Sequence, residues 1–277
     1  GRGGANPTLE CMGDWLLNLP LPWMALLVFL AIYLATAAIY FVVTRLAVDA
    51  RGRAFKAVSP GMLPPLGIIF GLLVGVAVQV WNDFDRAKAA VTTEASALRG
   101  IVLLAESVPE DERQKLRQVV NRHIDEAMTH EWGSMAKRQM TLAPLPTHLI
   151  EGLKVTLAVN PADESQKTAQ REIINELRRA LDARRQRIVV SQSSVSVVKW
   201  AAILLQGFCA LIAIAMVHSD NRLACVIALT IFATGVAVSV LLIAAYSRPF
   251  TGEISVGPEL LKQVMATERA LDRSPPQ

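Results

Sequence analysis

The chain has few of the residues that enzyme chemistry usually requires. Its 277 residues include three cysteines and four histidines. Cys11, Cys209 and Cys225 form neither a disulfide framework nor a metal spacing, and two of them lie inside apolar runs, where cysteine acts as a small packing residue. His123, His130, His148 and His218 show no metal-ligand spacing with one another, so each reads as a solvated or satisfied histidine. There is no glycine loop to cradle a phosphate and no nucleophile elbow. The acidic pairs Asp83 with Asp85 and Glu110 with Asp111 are expected at helix starts, where a carboxylate meets the positive end of the dipole. Together these absences point away from an enzyme, a metal site or a cofactor. The net charge is only +4, and no Arg/Lys run with interleaved aromatics appears, so no nucleic-acid partner is expected.

The most informative absence is that of charge itself. Trp23 to Thr44, Met62 to Trp81, Trp200 to Val217 and Leu223 to Tyr246 contain no Asp, Glu, Lys or Arg. At about 1.5 Å per helical residue, each can cross a hydrocarbon layer about 30 Å thick with modest tilt or flanking help. As buried helices of a soluble core they would lack enough amphipathic chain to cover them, because the rest is strongly polar. Trp23 and Trp200 open their runs while Trp81 and Tyr246 close theirs, as amphipathic rings do at membrane interfaces. Glu10 and Asp14 against Arg2, with no small-residue cleavage pattern, make the first run a retained helix. No charge stands mid-membrane, so an ion-coupled pump lacks its usual parts.

The expectation is an all-α membrane protein in the lipid bilayer, with four transmembrane helices and a helical insert between the second and third. Residues 1–81 hold the N-terminal segment and first hairpin, 82–199 the insert, 200–246 the second hairpin and 247–277 the tail. Phe84, Val91, Leu98, Val102 and Ala105 form a stripe that continues from the second span, with nothing to interrupt it before Gly100, so that span runs on as one long helix. A further helix follows Pro109, with Ser107 as a cap, and carries Leu116, Val120, His123 and Ala127 on one side. Pro144 and Pro146 break the chain. From about Pro161 to Ser191 a helix turns Ile173, Leu177, Ala180 and Leu181 one way and Arg178, Arg179, Arg184, Arg185 and Arg187 largely elsewhere. A short helix near Glu259 to Leu271 and a disordered end complete the tail.

The second span carries the functional signal. Gly67, Gly71 and Gly75 recur every four residues and give a narrow face that a neighbouring helix can approach closely. About 100° around the helix, Pro64, Ile68, Leu72 and Val76 form an aliphatic face. Such faces serve ordinary packing, or, in several copies around an axis, stacked rings that gate a pore by dewetting.

Pro65 to Gly71 followed by Trp81-Asn82-Asp83-Phe84 resembles the pore helix of bestrophins, and Arg248-Pro249-Phe250-Thr251-Gly252-Glu253 resembles the segment after their last span. Over its whole length the chain is similar to the bacterial family of bestrophin-like proteins, including Thr93 to Leu98 after the Trp/Phe/Asp exit. The resemblance implies a homopentameric channel for small inorganic ions in the bacterial inner membrane, with Pro64, Ile68 and Leu72 as a hydrophobic neck. It also implies a cytoplasmic insert and cytoplasmic termini. Two departures stand out. Glu253 is followed by Ile254, Ser255 and Val256 instead of the run of acids in calcium-sensing bestrophins, and the neck is aliphatic where aromatics are common.

By the positive-inside rule, Arg45, Arg51, Arg53, Lys56 and Arg222 would instead put the two short loops in the cytoplasm, against Arg86, Lys88, Arg99, Arg184, Arg185, Arg187 and Lys199 on the insert. In the last segment, Pro249 disfavours helix at Arg248 and frees Phe250 to turn back against Trp81 and Phe84. The alternative to a channel is a non-conducting scaffold or accessory subunit that packs through its glycine face.

Overall fold

The computed structural model describes residues 19–47 and 50–273, without the side chains of 50–66, 69, 70 and 268–273. The side chain of Pro64 in the expected neck, the acids before Trp23 and the last residues of the tail lie outside the described set. The chain forms two compact units, one of residues 1–82, 194–247 and 252–254 and one of 83–193, 248–251 and 255–277.

In the first unit, α1 (Leu21–Leu46) starts after Pro20, with a second proline in its first turn, where a fixed φ and a missing amide hydrogen cost nothing. α2 (Ala50–Leu104) enters this unit with its N-terminal part. α7 (Val197–Val217) is capped by the Ser196 side chain and α8 (Arg222–Tyr246) by Asn221, which accepts from the Leu223 and Ala224 amides. Among the described residues three helices, α1, α7 and α8, are long and apolar enough to cross a membrane. Their core has two centres. Ile39 and Val43 of α1 meet Leu211, Cys225, Leu229 and Ala233, while Val28 meets Leu73 and Val80 of α2 with Ile203, Val236, Val240 and Ile243. α7 approaches α8 closely at Gly207, where a Cβ would stand 3.1 Å from Val236 Cγ1.

Helices are the only regular elements among the described residues of the second unit. α2 does run on past the apolar stretch, and it continues through Gly100 to Leu104. Asp83 and Asp85 therefore lie inside a helix and not at a helix start, because no helix end falls there. Glu110 and Asp111 do occupy the first turn of α3 (Glu110–Glu126), with Pro109 at its N-cap and no side-chain cap from Ser107. A π-turn, Ala127–Glu131, leads into α4 (Trp132–Ala136). α5 (Thr147–Ala158) starts after Pro146, and α6 (Glu164–Ser191) is capped by Asp163, which accepts from the Gln166 amide. α9 (Glu259–Arg273) is the tail helix. Leu98, Ile101 and Val102 of α2 pack with Leu116, Val120 and Ile124 of α3, Leu149 of α5, Ile173 and Leu177 of α6, and Leu261 and Val264 of α9.

Candidate functional site

On α2, Leu73 and Val80 are buried in the chain's own core, with Val76 and Ala77 packed partly against it. Val76, one of the residues expected to line a pore, is half-buried. Ile68 and Leu72 are 68% and 56% exposed. Gly71 and Gly75 stand two residues either side of Leu73, about 200° around the helix and so on its far side. Among the described residues, a Cβ built at Gly67, Gly71 or Gly75 would meet nothing within 4 Å. Nothing among the described residues packs on the glycine face, whereas Gly207 is in a close helix contact. Near the end of the apolar stretch Trp81 meets Tyr246 edge-on, with ring centroids 5.9 Å apart.

The segment after α8 is tied down residue by residue. Pro249 ends the helical run, and its carbonyl accepts from the Val256 amide at 2.8 Å, closing a loop. Phe250 is buried with Ala87 and Val91 of α2 and Met135, Met140, Ile188 and Val190. Its ring neighbour is Trp132, with centroids 5.8 Å apart, while Trp81 meets Tyr246. Thr251 Oγ1 donates to the Ala136 carbonyl and Trp132 Nε1 to the Val256 carbonyl. Gly252 has φ 90°, a left-handed conformation that side chains resist. In the first unit, Glu253 Oε2 accepts from the Leu21 amide at 2.9 Å, so it caps the first turn of α1, which has no side-chain cap of its own.

Behind Trp132 lies a cluster that the sequence reading missed. Arg187, fully buried, donates from Nε to Glu94 Oε2 at 2.7 Å and from Nη2 to Glu131 Oε2 at 2.6 Å. Arg184 donates from Nε to Glu131 Oε1 at 2.8 Å. Glu94 Oε1 accepts from His123 Nε2 at 2.9 Å. The Trp132 ring covers the Arg187 guanidinium at 4.8 Å. Two carboxylates thus balance two guanidiniums, as burial demands. Burial alone would raise the Glu94 pKa, but Arg187 and then His123 outweigh it and hold the group at about 2. The carboxylate is therefore ionised, and His123 is the donor of their bond. Burial would lower the Arg187 value, but Glu94 and Glu131 push it up.

Arg184 and Arg187, expected to face largely away from the apolar ladder, are instead buried with it. The signal was in the spacing. The ladder Ile173, Leu177, Ala180 continues at three- and four-residue steps through Arg184, Arg187 and Ser191, and Glu94 sits between Val91 and Leu98 on the buried ladder of α2. Glu131, the last residue of the π-turn, is turned inward where the extra residue shifts the helical register.

No curated protein matches the chain. A family model described as Bestrophin-like domain matches residues 30–261.

Proposed function

The chain belongs to the bestrophin-like family, and from that premise we propose that five copies surround an axis lined by α2 and form a passive channel for small inorganic ions. Three apolar helices together with the family make it a membrane protein. In this proposal the Met62–Trp81 part of α2 is the fourth span, and the insert and both termini face the cytoplasm of a bacterial inner membrane.

The observation that carries the reading is the two-sidedness of α2. Leu73 and Val80 are sealed by the chain's own core, while Ile68, Leu72 and the three glycines are open. Copies that meet through the glycine face bring their helices close and leave Ile68 and Leu72 to ring the axis. Ions pass such an uncharged aliphatic constriction only when it is wide enough to hold water, so diameter is the gate. The experiment is ion flux from liposomes holding the purified protein, with the mass of the assembly measured in parallel. A ring that passes ions supports the channel.

A scaffold is the second reading, favoured by the open space at Gly67, Gly71 and Gly75, which suits a different protein as well as another copy. A monomer or dimer without flux would support it.

A further inference from the structure

Outside the pore face, the insert holds a cleft of about 590 Å³ between α2 and α6. Buried alanines, Ala90 and Ala183, stand where larger side chains would fill it. Arg86 enters from one wall and Arg178 and Arg179 from the other, against the single carboxylate of Asp182. Asn175 and Gln186 add neutral hydrogen-bonding groups. The arginines are barely committed elsewhere. Arg86 meets Asp83 at 3.6 Å and Arg179 meets Glu176 at 3.7 Å, long i,i+3 pairs whose guanidiniums are exposed, and Arg178 has no ion pair or hydrogen bond among the described residues. This differs from Arg184 and Arg187 on the same helix, whose charges are cancelled.

We propose that this cleft binds a phosphate-bearing anion. Three guanidiniums on two walls of one recess suit a ligand with at least two negative charges, and each planar fork matches phosphate oxygens bidentately. No aromatic residue lines the cleft, so single-stranded nucleic acid lacks its stacking platform there. A soluble polyphosphate and a phospholipid headgroup share the required chemistry. The site goes beyond the channel reading and holds whether or not the chain conducts.

The test uses the full chain in two arms. In zwitterionic detergent, calorimetry with inorganic pyrophosphate reads a soluble ligand. In nanodiscs of phosphatidylcholine with and without phosphatidylglycerol, the shift in thermal midpoint reads a headgroup. Arg86→Gln and Arg178→Gln are exposed substitutions, and Arg171→Gln, exposed on the same helix outside the cleft, is the control. The expected result is saturable pyrophosphate binding, or a midpoint shift specific to the anionic lipid, that either cleft variant weakens by at least about tenfold in affinity or abolishes as a shift, with the control unchanged. Binding in the first arm assigns a soluble ligand and binding in the second alone a headgroup. No response in either arm, as when a neighbouring copy fills the cleft, or equal loss in all three variants, overturns the proposal.

Discussion

At the scale of single residues, the buried cluster sets the sharpest expectations. Glu94→Gln leaves Arg187 with Glu131 alone, and removing one partner of a buried pair costs about 3–5 kcal/mol because an uncompensated charge stays behind. Chemical unfolding of the full chain in detergent should show that loss as a lower midpoint, and an unchanged midpoint would mean that the cluster is hydrated. The same group gives a pH dependence. Its folded value, about 2, lies below the ordinary 4.5, so the stability it adds is complete above 4.5, fades as pH falls between the two, and is gone below about 2. As pH drops from about 4.5 to about 2 the wild-type unfolding midpoint should fall towards that of Glu94→Gln, while the variant's own midpoint moves less over the same window. Phe250→Ala empties a site bounded by Trp132, Ala87 and Val91 and should cost about 3–5 kcal/mol, read in the same unfolding experiment. Phe250 could be anticipated from the proline before it. Its partner Trp132 could not, because the two are far apart in sequence.

Among the elements, two glycines on different helices separate folding from assembly. Gly207 lies where α7 touches Val236 of α8, so Gly207→Leu should disrupt the chain's own fold and yield little soluble, monodisperse protein. Gly71 faces open space, so Gly71→Leu should leave the folded chain intact and lower the mass of the assembly measured by light scattering. If both variants fail alike, Gly71 packs within the chain after all. On the adjoining face, Ile68→Ala and Leu72→Ala remove exposed apolar bulk and should raise liposome flux with assembly unchanged. The length of α2 was legible in the unbroken stripe after Trp81. Which of its faces the chain itself covers was not, since the apolar residues there occupy every side of the helix.

For the whole molecule, the expected assembly is a ring of 30.1 kDa chains, and its insert should be reached by a membrane-impermeant label only from the cytoplasmic side of inverted vesicles. The order of helices, the charge-free runs and the motif after α8 were readable from the sequence because each rests on local composition and spacing, which a linear chain displays directly. The cap that Glu253 places on Leu21, the pairing of Glu94 with Arg187 and the inward turn of Glu131 join residues far apart in the chain. Only the tertiary structure decides such pairs. A charge on a helical ladder is buried or solvated according to whether an opposite charge arrives from another element, and periodicity along one helix carries no record of what its neighbours bring.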